Sequence, residues 1–439
     1  MKRAQYLIFI LFVLYLINVT FDRIKGGERS ILWSDGEGFY DYLPGLFIIK
    51  DYHKLPPGSI APYFLGTSYP YNNSNGEFVN KFTCGVSYFE MPFFGIGYLI
   101  SKIKGVDPAS YFSPIYCKAI AFGGILITLL GLLILYKTLL NSGDVLKKNS
   151  AFWTILSVFF GTNLFHYATK EMGMSHVYSF FLFSLLIFIL PKFFKKPNFL
   201  NSIAFGAIFG WIVLIRPTNF ILILLVLLFN VYSKQDIIER MKFFKQHWMN
   251  IFPILFAGFV MVFPQLLYWK KMGGSWIFYS YADEGFKYWN KPKIMAVLFD
   301  VQNGLLLYSP MVILMLIGIF YGLKNKKFHS PAMLLIFILA TYIFASWWAW
   351  WFGGAFGHRS YVEYYAILAI PLAGLIQKVF SSPKPIVRIS FQFLLILLMV
   401  YSVRLSYLYS SIGGPWDGAD WRWNWDKYEW IMSYFLKIF

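Results

Sequence analysis

WSDGEGFYDYLPGLF, residues 33 to 47, follows directly on a first apolar stretch and sets Asp35, Glu37 and Asp41, with Glu28 just upstream, among aromatics and glycines. Four acids at the mouth of an apolar segment have meaning only against the rest of the chain. Of 439 residues, 58% are hydrophobic and 14% charged, and phenylalanine alone contributes 48; this lies well outside soluble-domain usage. Apolar runs of roughly 17–25 residues, enough to cross a ~30 Å hydrocarbon core, recur through the whole length between short polar breaks. An open strand in lipid would leave backbone groups unpaired, so these runs are read as helices. The expected fold class is an all-α polytopic membrane protein.

The formal charge of +18 does not indicate a nucleic-acid partner, because the lysines and arginines form no basic arm or stripe. They sit at helix ends. The positive-inside rule assigns MKR at the start and the clusters at 137–148, 192–196, 234–245, 324–327 and 378–388 to the cytoplasm. The first apolar stretch, 6–19, lacks a small-residue cleavage site and reads as a retained anchor. Helix 1 is expected over about 4–21, followed by a large outer loop, 22–112. Further spans are expected near 115–137, 151–167, 176–191, 201–216, 218–232, 249–269, 303–323, 332–349, 361–378 and 388–409. That makes about eleven spans of membrane-crossing length, with the amino terminus inside and the carboxy terminus outside.

The economical division is one membrane domain, 1–410, and an aromatic tail, 411–439. Within the first loop, apolar residues at 39, 42, 43, 46 and 47 follow helical spacing and predict an amphipathic helix lying at the interface. Residues 86–103, broken by Glu90, Pro92, Gly95 and Gly97, are a second such candidate. Cys84 and Cys117 match no metal pattern and are expected as structural thiols rather than a disulfide.

Polar groups on the expected outer side are functional candidates, because charge near hydrocarbon is costly. Asp35 follows helix 1 inside a Gly-rich turn that can present a carboxylate as general base or hard-cation ligand; the plain alternative is a helix cap. Glu171 and His176 flank a short hairpin, with His166 before it, and could join Asp35 around a divalent ion, although their five-residue gap is no recognised ligand spacing. In IRPTN (215–219), Arg216 stands beside a turn where Thr218 or Asn219 can cap the next helix, a ready anion site. WFGGAFGHRS (351–360) places Gly353, Gly354 and Gly357 before His358 and Arg359, whose planar fork suits phosphate oxygens. Lys81 and the group Lys287, Lys291 and Lys293 add positive charge on the same side, against the orientation bias; an anionic headgroup or lipid-linked phosphate would account for it.

These residues resemble a known superfamily. Asp35-Gly36 with Tyr40, Tyr42, Leu43 and Pro44, Asn80-Lys81 before Pro92-Phe93-Phe94, Glu171 with Ser175-His176 and Ser179, Arg216-Pro217-Thr218, and Trp351 to Arg359 are similar to motifs of the bacterial GT-C membrane glycosyltransferases. These include protein O-mannosyltransferases, aminoarabinose transferases and oligosaccharyltransferases. The similarity runs through about residue 375. Thr83-Cys84 stands where those transferases carry a Lys-Pro-Pro turn, and a single Asp35 where many carry a paired Asp-Glu. The resemblance implies inverting transfer of a sugar from a polyprenyl-phosphate carrier to a glycan, lipid or protein acceptor at the periplasmic face of the bacterial inner membrane. Asp35 would be the catalytic acid or base. Lys81, Arg216, Arg359 and His358 would contact the lipid phosphate, while Glu171 and His176 with Asp35 would hold a divalent cation, Mg or Mn. Implied partners are the polyprenyl-phosphate sugar and membrane lipids. The rival readings are a secondary transporter, which should show mid-membrane charges and inverted repeats, and a non-catalytic flippase-type partner for polyprenyl-linked glycans.

Overall fold

A computed structural model describes residues 31–52, 71–72, 78–141, 146–411 and 424–437. Fourteen helices organise them: α1 (Asp35–Tyr40), α2 (Ser87–Ile103), α3 (Pro114–Asn141), α4 (Lys148–Phe160), α5 (Leu164–Thr169), α6 (Ser175–Lys195), α7 (Phe199–Ile215), α8 (Lys234–Gln246), α9 (Ile251–Gly273), α10 (Met311–Asn325), α11 (Ser330–Ser346), α12 (Tyr365–Phe380), α13 (Pro385–Ser411) and α14 (Trp425–Ser433). Shorter turns are named by residue. Among the described residues the strand structure is one two-residue antiparallel ladder, Tyr71–Asn72 against Phe78–Val79. The expected helix over 4–21 lies outside the described residues.

Among the described residues, four segments are long and apolar enough to cross a membrane by length and composition: Pro114–Asn141, Ser175–Lys195, Trp248–Gly273 and Pro385–Ser410. Their packing divides them. The first and second are 61% buried inside the protein, the third and fourth 17%, so α9 and α13 present Leu255, Phe256, Phe259, Phe393, Leu397 and Val400 outward. In water such faces would drive aggregation; in hydrocarbon they match the solvent. At the centre stands α12, buried continuously from Tyr365 to Gly374, an uncharged stretch surrounded by other helices.

Where α7 meets α9 the contact is glycine on glycine. A Cβ at Gly210 would sit 2.6 Å from Gly258 Cα, whereas a Cβ at Gly258 would lie 3.4 Å from the Gly206 carbonyl oxygen and 3.9 Å from Gly210 Cα. Gly206 and Gly210 form a small-xxx-small stripe, which lets helices in lipid approach closely enough for dispersion to hold them. Gly210→Ala is therefore expected to lower stability by about 1–3 kcal/mol, and Gly258→Ala to be nearly neutral. Thermal unfolding of the two variants in detergent checks this; equal effects would contradict it.

Three expected spans are broken. The 151–167 span is α4 followed by the separate short α5, and 303–323 is split at Pro310 into a turn, Leu305–Tyr308, and α10. The 218–232 span is a 3-10 turn, Pro217–Leu222, running into Ile223–Leu227. Pro217 sets the first turn, and Asn219 is drawn into a buried polar network rather than capping; neither it nor Thr218 supplies a side-chain cap.

In the first-loop segment Phe39, Tyr40, Tyr42 and Leu43 are buried in the protein while Leu46 and Phe47 are exposed, so one part of its apolar face is docked among helices. Tyr40 donates to the Tyr111 carbonyl at 2.6 Å and Tyr42 to the Phe82 carbonyl at 2.6 Å. The second candidate is the full helix α2, packed beside α3 with Phe93 and Phe94 against Tyr116 and Ile120. Cys84 and Cys117 are both buried and form no disulfide. In the tail, α14 buries Ile431 against Leu405, Leu408, Tyr308 and Phe356.

Candidate functional site

Asp35 owes its position to a strained turn. Ser34, a non-glycine residue, has φ 51°, a left-handed conformation that costs energy and persists only where surroundings impose it. The imposition comes from close backbone packing: a Cβ at Gly36 would lie 3.0 Å from the Ile31 carbonyl oxygen and 3.3 Å from that of Gly173, and one at Gly173 only 2.6 Å from Ile31 oxygen. Thus the Asp-Gly pair and the glycine of the Glu171–Met174 hairpin fit each other. Asp35 does not cap α1, since no side-chain cap is present. Its Oδ2 instead meets Arg359 Nη2 at 2.8 Å.

Arg359 is delivered by the Gly-rich loop after α11. Gly353 and Gly357 have positive φ, 74° and 63°, and a Cβ at Gly357 would come 2.7 Å from Tyr308 Cβ; both conditions require glycine. Asn163 Nδ2 donates to the Phe356 carbonyl at 3.0 Å, and Asn303 Nδ2 to those of Trp351 at 2.8 Å and Gly353 at 3.0 Å. The guanidinium is thereby aimed, 15% exposed, at Asp35.

Beside this pair lies a second one that sequence reasoning missed. Arg216 Nη1 meets Glu363 Oε1 at 3.0 Å, and the other Glu363 oxygen is 3.4 Å from His176 Nδ1. Asn219 Nδ2 approaches Glu363 Oε1 at 3.5 Å while its Oδ1 accepts from Tyr364 at 2.9 Å. Glu363 is fully buried. Its signal was available: one acid directly before the apolar run of α12, in a chain where such groups are functional by default.

Lys81 completes the set. Asn80 fixes it by donating from Nδ2 to the Gly38 carbonyl at 2.7 Å and accepting from the Phe82 amide at 2.9 Å. The ammonium pairs with Glu284 at 2.5 Å and lies 5.1 Å from the Tyr281 ring centroid. Burial pushes the Asp35 carboxyl up, but Arg359, then Lys81, His176 and Arg216, outweigh it and hold Asp35 below the usual carboxylate range. Three of the four expected phosphate contacts, Lys81, Arg216 and Arg359, therefore act on one carboxylate.

No protein-family model and no curated protein matches the chain in sequence. In structure it is similar to ArnT from Cupriavidus metallidurans in the apo state, with TM-score 0.54 and 12% identity over 93% of this chain and 70% of that one. The fold is GT-C-like. Two structures of the Archaeoglobus fulgidus oligosaccharyltransferase, one apo and one in complex with Zn and sulfate, give TM-scores of 0.46 and 0.48 at 13% and 14% identity. This chain spans 59% and 57% of their lengths.

Within this GT-C-like frame two expectations need correction. The metal set does not converge: Glu171 Oε1 lies 3.6 Å from His166 Nε2, His176 faces Glu363, and Asp35 faces Arg359. No group of three or more His, Cys, Asp or Glu side chains placed to hold an ion occurs among the described residues. The residues present do not fit a divalent cation shared by Asp35, Glu171 and His176.

His358 is not a cationic phosphate contact. Burial holds its imidazole down at about 3, hence neutral. Its Nε2 is 3.1 Å from the Trp350 carbonyl, and the ring stacks on Phe344. Donating inward, His358 braces the loop that carries Arg359. Trp347 and Trp348 are partly buried against loop 274–293, with Trp347 edge-on to Tyr281 at 5.8 Å and the Trp348 amide donating to Gly285 oxygen at 2.9 Å.

Proposed function

We propose that this chain is a membrane glycosyltransferase that moves a sugar from a polyprenyl-phosphate carrier to a glycan, lipid or protein acceptor at the periplasmic face of a bacterial inner membrane. The observation that carries the reading is the contact between Asp35 and Arg359 beside Lys81 and Arg216. One carboxylate has Arg359 against it, and Lys81 and Arg216, from distant parts of the chain, are near enough to help hold it ionised. A base and a phosphate-binding field thus share one site.

The chemistry follows from charge. The acceptor's O–H or N–H is deprotonated by Asp35 as its oxygen or nitrogen attacks the anomeric carbon. The bond from that carbon to the phosphate oxygen breaks, and the electron pair leaves with the phosphate. Negative charge growing there is met by preorganised Lys81, Arg216 and Arg359, which need no reorganisation during the step. Arg359 has two tasks: it keeps Asp35 ionised and offers its remaining N–H donors to the phosphate. Attack opposite the leaving phosphate inverts the anomeric centre.

The test incubates the purified chain with a panel of polyprenyl-phosphate sugars, with and without EDTA. The expected result is consumption of one donor with release of polyprenyl phosphate, and the EDTA arm reports whether a divalent ion held elsewhere is required. Binding of polyprenyl phosphate with no donor consumed would favour the non-catalytic partner.

A further inference from the structure

Each cation of the site holds a carboxylate, and the three carboxylates are held differently. Glu363 is fully buried beneath Arg216, and Asp35 is fixed by the turn at Ser34. Glu284 lies on the connection 274–293, which has no helix of its own. The backbone there is pinned on both sides: Ser280 Oγ donates to the Lys81 carbonyl at 2.7 Å, the Trp348 amide to Gly285 oxygen at 2.9 Å, and the Tyr288 amide to Ser346 oxygen at 3.0 Å. Ala282, between Ser280 and Glu284, has φ 48°, a strained value for alanine. The connection is thus bent so that the Glu284 carboxylate reaches the Lys81 ammonium at 2.5 Å.

Lys81 does not depend on that carboxylate for its place. Its backbone is set through Asn80 and Ser280, and its ammonium lies 5.1 Å and 5.7 Å from the Tyr281 and Phe82 ring centroids, a cation–π cradle. An anion already sits where an incoming phosphate would need to sit, and the cation would remain in position if that anion left. On a segment with no helix of its own, Glu284 is the carboxylate of the three best placed to swing away.

We propose that Glu284 is a built-in anionic ligand of Lys81 that the donor phosphate displaces, so that this side chain sets how strongly the site holds a phosphate anion. The inference rests on the reading that Lys81 receives the donor's phosphate. Removing the Glu284 charge takes away the competitor for Lys81.

The experiment titrates farnesyl phosphate into the full chain in nanodiscs and reads binding by calorimetry for wild type, Glu284→Gln, Lys81→Gln and the double variant. Glu284→Gln is expected to tighten binding about two- to fivefold, the range for freeing one partly exposed ion-pair partner. Lys81→Gln should weaken binding, and Glu284→Gln should bring no gain when Lys81 is absent. Should Glu284→Gln fail to accumulate, Glu284→Ala serves the same comparison. Weakened or unchanged binding in Glu284→Gln, or an equal gain in the Lys81→Gln background, overturns displacement alone. Unchanged binding in Lys81→Gln overturns the phosphate role of Lys81, and displacement with it. Neither result depends on sugar transfer being detected.

Discussion

Replacing Asp35 by asparagine is expected to cut sugar transfer by about 10²–10⁴, the usual contribution of a positioned general base, while the chain still binds a polyprenyl phosphate. Retention follows from the geometry, because a neutral amide in place of the carboxylate would release the Arg359 guanidinium that now lies 2.8 Å from it. Transfer rates at saturating donor, set beside a farnesyl phosphate titration, separate the two effects. A variant that transfers at the wild-type rate would remove Asp35 from the chemistry. The same pair has a pH signature. A base must be deprotonated, so activity is lost as pH falls through the folded value of Asp35. Burial raises that value, yet Arg359, Lys81, His176 and Arg216 carry it below the ordinary range, and the acid limb of kcat/KM should lie below the usual carboxylate range. In Arg359→Gln the largest attractive charge is gone, and the limb should move upward.

The second large effect concerns stability. Glu363→Gln leaves Arg216, only 20% exposed, without its counter-charge. Breaking a buried pair from one side costs about 3–5 kcal/mol, and the partial exposure of Arg216 brings the expectation to about 2–4 kcal/mol, read as a fall in thermal stability in detergent. The double variant Arg216→Gln with Glu363→Gln should recover part of this loss, since no uncompensated charge then remains. Strict additivity of the two single effects would show that the pair is not coupled. Asn219 and His176 should report the change as well, because both hydrogen-bond the same carboxylate.

What was legible in advance divides by the range of the interactions involved. Apolar runs, basic helix ends and isolated outward charges are local properties, and they sufficed to mark a polytopic helical chain and to single out Asp35, Lys81, Arg216 and Arg359. A pattern at 39, 42, 43, 46 and 47 says that one face is apolar but not what covers it; for Phe39, Tyr42 and Leu43 it is protein, while Leu46 and Phe47 stay exposed. The metal set failed for a related reason. Glu171 and His176 stand five residues apart, but each turns to a different partner.

The amino-acid sequence by itself determined the solvent of this protein and the side chains that would not belong in it, since the free energy of placing a residue in hydrocarbon depends mainly on that residue. Only the tertiary structure decided which charge answers which. Arg216 and Glu363 are 147 residues apart and Lys81 and Glu284 are 203, and Coulomb energy falls with distance in space rather than along the chain. The same composition threaded through different turns would carry the same charges and have no site.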